Sequence, residues 1–182
     1  MKFHKGMKCI NFFGGPGSGK STMASTIFSL LKKQGVNVEL VTEVAKELSY
    51  EKRTNLLEYQ DYILARQIRK MTIPYGHVDA IVTDSPILMS HVYAGDSYPE
   101  CFHRWVDHAY GCFENIDIFL ERVVPFQKEG RHHNEEEAAI ISANIYNYLY
   151  GRNFESKLIS KGHEAAVPEI MEFIMKHLGE VQ

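Results

Sequence analysis

Short apolar runs and longer segments with helical spacing follow one another along the chain. The apolar runs predict buried strands at residues 9–13, 36–42, 80–83, 116–120 and 154–159. Between them, apolar residues recur every three or four positions, which predicts helices at residues 21–33, 56–71, 87–93, 101–113, 135–150 and from 168 onwards. Strands that alternate with helices are typical of a mostly parallel sheet covered on both faces. We therefore predict an α/β fold.

The chain has the size and composition of one globular domain. It contains 182 residues, 45% of them apolar and 24% charged, and no Gly/Ser-rich or Pro-rich linker divides it. We expect a single domain over residues 1–182. The 20 basic and 23 acidic residues leave a net charge of −3. Binding to nucleic acid would therefore need a local basic patch.

Cysteine usage and hydropathy favour a reducing compartment. The three cysteines form no C-x-x-C pair, and the first apolar run is too short for a signal peptide. No run approaches the roughly 18 apolar residues of a membrane span. We expect a cytoplasmic protein without membrane contact.

A glycine-rich loop at residues 14–21 (GGPGSGKS) fits the pattern G-x-x-x-x-G-K-[ST] completely, between a predicted strand and a predicted helix. Glycines let backbone N–H groups converge on phosphate oxygens, and the following helix adds its dipole. Lys20 would bridge the β- and γ-phosphates of a triphosphate, and the Ser21 hydroxyl would bind Mg²⁺. The predicted nucleotide-binding residues are Gly15, Gly17, Ser18, Gly19, Lys20, Ser21 and Thr22.

Two acidic residues stand where predicted strands end. Glu43 ends the run VELVTE, and Asp84 ends AIVTD. Ligands of parallel sheets bind at the carboxyl ends of the strands, so both residues are candidates for the same cleft as the glycine-rich loop. One carboxylate would serve Mg²⁺ and the other would act as general base. The alternatives are a helix-capping Asp84 and a solvated Glu43 at a helix start.

A polar segment follows the fourth predicted strand. Its cationic residues, within a predicted lid at about 122–134, are Arg122, Lys128, Arg131, His132 and His133. Arginines in a closing loop stabilise charge on a transferred phosphoryl group and exclude water, so Arg122 and Arg131 are candidate catalytic residues. A solvated basic loop is the alternative. Adjacent histidines have poor spacing for a chelate, which disfavours a metal site there.

The helix predicted at residues 56–71 carries side chains suited to an acceptor. Those able to read a base edge or stack on a ring are Gln60, Gln67, Tyr59 and Tyr62. Those able to form a basic rim around DNA are Arg66, Arg69, Lys70, Lys128, Arg131 and His132. Burial of both tyrosines in the core is the alternative. His103 and His108 are expected on the surface of a later helix.

Five segments in this order carry a family resemblance: GGPGSGKST, VTEVAKEL, LLEYQDYILARQIRK, IVTDSP and ERVVPFQKEGRHHNEEEA. Over residues 8–178 the chain resembles P-loop kinases of the nicotinamide-riboside-kinase type, which include the kinase domain of the bacterial NAD-biosynthesis regulator and small AAA-type ATP-binding proteins of phages. It is also similar to phage enzymes that phosphorylate 5-hydroxymethyluridine in DNA. The resemblance implies a P-loop NTPase fold with a five-stranded parallel sheet in the order 2-3-1-4-5.

The same resemblance implies ATP, Mg²⁺, a strand-end carboxylate as base and an arginine-bearing lid. By position it assigns these roles to Lys20, Ser21, Asp84, Arg122 and Arg131, and Glu43 matches the acid that deoxynucleoside kinases carry after strand two. Asp84 would lie nearer Ser21 and the metal, and Glu43 on the acceptor side as the base; the exchanged assignment stays open. One departure is that Ser85-Pro86 follows Asp84 where those enzymes carry an arginine. The lid, or Arg66 and Arg69, would then supply the positive charge.

Three function classes follow from these observations. The first is a kinase that transfers the γ-phosphoryl group of ATP to a nucleoside-like acceptor, either a free nucleoside or nucleotide or a hydroxymethylated base in DNA. The second is an NTPase switch that hydrolyses ATP to act on a partner. The third, a structural protein with a vestigial loop, conflicts with the intact Lys20 and Ser21.

Overall fold

Five parallel strands form one sheet at the centre of the molecule. The computed structural model describes residues 6–123, 135–151 and 157–179. The strands are β1 (Lys8–Phe13), β2 (Val38–Val41), β3 (Ala80–Thr83), β4 (Glu114–Glu121) and β5 (Lys157–Lys161). They pair in the order β2-β3-β1-β4-β5, and every pairing is parallel. The predicted α/β fold and strand order are confirmed.

Helices cover both faces of the sheet. Within the described ranges they are α1 (Lys20–Lys33), α2 (Val44–Tyr50), α3 (Gln60–Thr72), α4 (Met89–Ala94), α5 (Glu100–Tyr110), α6 (Glu135–Tyr150) and α7 (Val167–Leu178). Short 3-10 turns lie at Thr54–Leu56, Gly95–Ser97 and Glu164–Ala166. In the same ranges we find no helix with the length and apolar character that crossing a membrane requires.

The sheet separates two apolar layers, and β1 contributes to both. Ile10 and Phe12 pack in the layer beneath α1 and α7, whereas Cys9 and Phe13 pack in the layer beneath α3, α5 and α6. The strands are buried on both faces, which explains why the sequence shows them as continuous apolar runs. A ligand therefore has access mainly at the ends of the strands.

The helix predicted at residues 56–71 is wrong at its start. A 3-10 turn at Thr54–Leu56 precedes the helix, and Tyr59 has a ψ of 85°, which is outside the helical region. The backbone N–H of Gln60 then donates to the hydroxyl of Tyr98, at 2.7 Å. A tertiary contact thus caps α3, and the local spacing of apolar residues contains no sign of it.

Two further elements differ from the sequence pattern. Helix α2 was predicted only in the alternative that places Glu43 at a helix start, and Glu43 does directly precede it. The first N–H group of α2, on Val44, donates to the buried side-chain oxygen of Gln67 at 3.3 Å. The strand predicted at 154–159 lies partly outside the described residues, and β5 extends two residues further, to Lys161. Short elements are held by such tertiary contacts more than by their own pattern.

A buried polar cluster joins β1 to β4 and to α5. Asn11 Nδ2 donates to Asp117 Oδ1 at 2.9 Å, and the Tyr110 hydroxyl donates to Asp117 Oδ2 at 2.5 Å. Burial and the charge of Asp117 raise the pKa of the Cys9 thiol well above its usual range. Because buried polar groups are costly without partners, this cluster favours one register between β1 and β4. That register sets the position of the loop that follows β1.

Candidate active site

The loop between β1 and α1 depends on the backbone freedom of its glycines. Gly14, Gly17 and Gly19 have φ values of 142°, 80° and 86°, which residues with side chains rarely adopt. Lys20 is the first residue of α1, so the positive end of a long helix faces the loop. This strand–loop–helix arrangement is the context that the glycine-rich motif requires.

Two other elements hold the loop from outside. A Cβ atom on Gly15 would lie 2.7 Å from the Cβ of Ser142 and 2.9 Å from the carbonyl oxygen of Ala138, both in α6. A Cβ atom on Gly19 would lie 2.8 Å from the carbonyl oxygen of Gly162, in the turn after β5. These distances are shorter than carbon contacts allow. The loop is therefore clamped between α6 and the β5–α7 turn.

Two side chains of the loop, Lys20 and Ser18, carry donors that a bound anion could use. The ammonium of Lys20 donates to the carbonyl oxygens of Gly14, at 2.8 Å, and Gly15, at 3.0 Å. The hydroxyl of Ser18 is buried and has no hydrogen-bond partner among the described residues. An anion in the loop would offer acceptors to both side chains. Ser21 and Thr22 are exposed in the first turn of α1.

The carboxylates of Glu43 and Asp84 lie next to this loop. Burial raises the pKa of Glu43; Lys20 counters this, the charge of Asp84 adds to it, and Lys46 and Lys70 also counter it. Asp84 is 6% exposed, and its Oδ1 has no hydrogen-bond partner in the described ranges. Neither carboxylate caps a helix, because Glu43 makes no capping hydrogen bond and α4 begins five residues after Asp84. The structure thus brings Lys20, Glu43 and Asp84 together.

Sequence reasoning missed Tyr93, which lies at the same cleft. It is in α4 and 42% of its surface is exposed, yet burial of its phenol and the charge of Glu43 raise its pKa to about 12. The charge of Glu43 thus acts on the Tyr93 phenol, which places the two side chains near each other. The spacing of apolar residues predicted a helix at residues 87–93, but it contained no signal that Tyr93 would lie near Glu43.

Arg122 follows β4 directly and lies across the loop from the carboxylates. Its guanidinium contacts the carboxylate of Glu135 at 3.4 Å, where α6 begins. The side chain of Arg122 is 22% exposed and that of Glu135 is 68% exposed. The other predicted lid residues, Lys128, Arg131, His132 and His133, lie outside the described residues.

Two of the predicted acceptor residues, Gln67 and Gln60, make contacts within the fold. Gln67 is buried and holds α2, and Gln60 Nε2 donates to the carbonyl oxygen of Leu57 at 3.0 Å. Tyr59 is 55% exposed, so its predicted alternative place in the core is wrong. Tyr62 is half-buried and its ring lies 5.7 Å from the guanidinium of Arg66.

Two cations of the predicted basic rim are paired with an acidic residue. Glu47 contacts Arg66 at 3.2 Å and Lys70 at 2.6 Å. Lys70 also donates to the backbone oxygen of Thr42 at 2.7 Å. Arg69, three residues after Arg66, is exposed. These pairs reduce the positive field that α3 would offer to DNA phosphates.

His108 is exposed as predicted, and His103, in the same helix, is partly exposed. His103 Nδ1 lies 2.8 Å from Nδ1 of His91, and His91 Nε2 lies 3.0 Å from the carboxylate of Asp107. His103 Nε2 faces the carbonyl oxygen of Gly95 at 3.1 Å. No group of three or more metal-ligating side chains occurs in the part described.

An open groove of about 540 Å³ lies between the tip of the glycine-rich loop and α6. Its walls include Gly15, Phe119, Arg122, Ala143, Tyr146 and Asn147, and we call it the α6 groove. Phe119 is buried at its base, and its ring meets that of Tyr146 edge to face, with 5.4 Å between the ring centres. Volumes in this range are those of pockets that hold small organic ligands.

Residues 9–166 match a family model described as an AAA domain (AAA_28). The chain belongs to this AAA domain family. The matched region runs from β1 to the turn before α7, so it includes the glycine-rich loop, both carboxylates, Arg122 and the α6 groove. At family level this agrees with the resemblance to AAA-type ATP-binding proteins.

Two known proteins resemble this AAA domain over most of its fold. A thymidylate kinase of Rickettsia canadensis (strain McKiel) is 33% identical over 112 residues, which are 61% of this chain and 51% of the relative. The NadR protein, solved by crystallography in complex with NAD and AMP-PNP, superimposes with a TM-score of 0.66 and 15% identity over 97% of this chain and 51% of that one. The likeness to NadR shows a shared fold. The AAA domain spans about half the length of both proteins.

Proposed function

We propose that this AAA domain is an ATP-dependent kinase that transfers the γ-phosphoryl group of ATP to a hydroxyl of a nucleoside-like acceptor. The observation that carries the proposal is the position of Glu43 beside Lys20 and Asp84 at the glycine-rich loop. A carboxylate with a raised pKa accepts a proton more readily than an ordinary one, which suits a general base. The names of the relatives agree with this: one is a thymidylate kinase, and the NadR structure contains AMP-PNP and NAD.

In the proposed step the acceptor hydroxyl oxygen bonds to the γ-phosphorus, and the bond from that phosphorus to the β,γ-bridging oxygen breaks. ADP leaves with the electron pair of the broken bond, and Glu43 takes the hydroxyl proton. Lys20 and Arg122 stabilise charge on the transferred oxygens. Since such transition states are loose, Glu43 acts mainly by orienting the hydroxyl.

Two side-chain oxygens, of Ser21 in α1 and of Asp84 after β3, are of the kind that binds a magnesium ion. Asp84 Oδ1 is buried without a hydrogen-bond partner among the described residues, a state that costs free energy unless a cation or a water molecule fills it. Asp84 and the Ser21 hydroxyl would hold Mg²⁺, which would neutralise phosphate charge.

Transfer of label from γ-labelled ATP tests the proposal. The acceptor panel contains nucleosides, nicotinamide riboside, nucleoside monophosphates, and DNA with and without 5-hydroxymethyluracil. A kinase moves label to an acceptor, whereas an NTPase switch releases it only as free phosphate. Release of free phosphate with every member of the panel would overturn the kinase proposal.

Hydroxymethylated DNA stays in the panel as the second acceptor class. Transfer to DNA would depend steeply on salt, because contacts with phosphates release counterions. The pairing of Arg66 and Lys70 with Glu47 favours a small acceptor instead. A small acceptor predicts a KM that changes little between 50 and 200 mM salt, concentrations over which DNA contacts weaken strongly.

Paired substitutions, with Mg²⁺ titrated in each variant, distinguish the roles of the two carboxylates. Glu43→Gln should lower kcat by about 10²–10⁴-fold, the usual contribution of a general base, at unchanged metal requirement. Asp84→Asn should raise the Mg²⁺ concentration needed for half-maximal rate. The reverse pattern would exchange the two roles.

A further inference from the structure

The α6 groove has Gly15 and Arg122 in its walls, but the proposed phosphoryl transfer uses none of its aromatic surface. We propose that it binds the planar ring of the acceptor, so that α6 rather than α3 determines which nucleoside-like molecule is phosphorylated. The inference rests on the proposed kinase function and adds to it a place and a chemistry for the acceptor.

The groove begins at the end of the loop where the terminal phosphate would lie. The Lys20 ammonium, which reaches the β- and γ-phosphates in such loops, lies on the carbonyl oxygens of Gly14 and Gly15. Gly15 is also a wall of the groove, and Arg122 is another. A molecule in the groove therefore has one end near the phosphoryl group and near the side chain that would stabilise its charge.

The walls of the groove suit a flat ring with a polar edge. Phe119 and Tyr146 provide aromatic surface, and Tyr146 in turn stacks on Tyr150 with ring centres 5.8 Å apart. Ala143 is small and leaves space beside them, and the amide of Asn147 offers both a donor and an acceptor. Aromatic stacking and a paired donor and acceptor are how proteins recognise bases.

The charge pattern of α6 favours a neutral ring in the groove. After Glu137 the helix has thirteen consecutive positions, 138–150, without a charged residue. A phosphate bound along this face would lack a cation from the helix, whereas an uncharged ring needs none. The charged atoms of the acceptor would then lie towards Arg122.

Filling the groove tests this assignment, with the next residue along the helix as the control. Ala143 and Asn144 are both exposed positions of α6, but only Ala143 lines the groove. We expect Ala143→Leu to raise the acceptor KM at least tenfold and to leave the Kd for AMP-PNP within twofold of wild type. Asn144→Leu should leave both values unchanged, and Asn147→Leu should lower kcat/KM for the acceptor about tenfold.

Direct binding separates failure of this inference from failure of the kinase proposal. Thymidine, thymidine monophosphate and nicotinamide riboside are titrated calorimetrically into the chain saturated with Mg²⁺ and AMP-PNP. Binding that Ala143→Leu abolishes supports the groove even if no phosphoryl transfer occurs. Transfer or binding that is unaffected by Ala143→Leu overturns the groove while the kinase proposal stands. The groove assignment is also overturned if no probe binds, or if Ala143→Leu weakens the binding of AMP-PNP instead of the binding of the acceptor.

Discussion

Among single residues, Glu43 links the proposed catalysis to stability. Its pKa is raised in the folded state, so folding favours the protonated carboxyl. The free energy of unfolding of the wild type therefore falls as pH rises from the ordinary glutamate pKa, near 4.3, through the raised pKa of the folded state. The fall is about 1.4 kcal/mol for each pKa unit between the unfolded and folded states. We expect Glu43→Gln to be the more stable protein at pH 7 and to equal wild type below about pH 4. Urea denaturation across pH measures this; a difference that is the same at all pH values would contradict it.

Arg122 illustrates how a residue can matter for rate more than for binding. It borders the α6 groove, and its pair with the exposed Glu135 is of the kind that contributes little free energy. Arg122→Ala should lower kcat about 10²-fold, the usual loss for one donor to a developing charge, with a small change in the Kd for AMP-PNP. Glu135→Gln is the control and should leave kcat unchanged. Weaker AMP-PNP binding at unchanged kcat would show that Arg122 binds the ground state.

Sequence reasoning found residues whose neighbours are close in the chain and missed those whose neighbours are distant. Lys20 and Ser21 are recognisable because one contiguous motif surrounds them. The charge of Glu43 acts on Tyr93, and the Val44 N–H group donates a hydrogen bond to Gln67. Both interactions join segments that only the fold brings together. No spacing rule along the chain contains that information.

At the scale of elements, the β5–α7 turn should matter for the glycine-rich loop. A Cβ atom on Gly162 would collide with the backbone carbonyl of Ser18, and backbone cannot give way by changing rotamer. We expect Gly162→Ala to cost about 1–3 kcal/mol of stability and to weaken AMP-PNP binding about tenfold. Gly151→Ala is the matched control, because its Cβ would meet the nearest atom, a carbonyl oxygen of Asn147, at an ordinary 3.4 Å. Equal effects of the two variants on AMP-PNP binding would contradict the clamp.

The helices and strands could be predicted where apolar runs are continuous and where glycine or proline marks the turns. The strand predicted at residues 80–83 is observed without change, and that at 9–13 differs by one residue. Helix α3 begins four residues late, because the Tyr98 hydroxyl caps Gln60 from outside the segment. Strand order came from the family resemblance, since pairing between parallel strands has no local signal.

For the whole molecule, nucleotide binding should appear as added stability. A ligand at 100 times its Kd stabilises the folded state by about 2.7 kcal/mol. In a chain of this size each kcal/mol raises Tm by roughly 2–4 °C, so Mg²⁺ and AMP-PNP should raise Tm by about 5–11 °C. Lys20→Ala should show a wild-type Tm alone and no rise with the nucleotide. Thermal melting measures these values. An equal rise in Tm for Lys20→Ala would place the nucleotide elsewhere.

The central place of β1 has a consequence for the order in which the protein is made. β1 precedes both of its sheet neighbours in the sequence, because they begin at residues 80 and 114. The last contact of the glycine-rich loop, between Ser18 and Gly162, joins positions 144 apart. A chain growing from its N-terminus therefore contains the glycine-rich loop long before it contains Gly162, which completes the cradle. Contacts this distant also favour slow folding, so a growing chain passes through a long period in which nucleotide offers it no stabilisation.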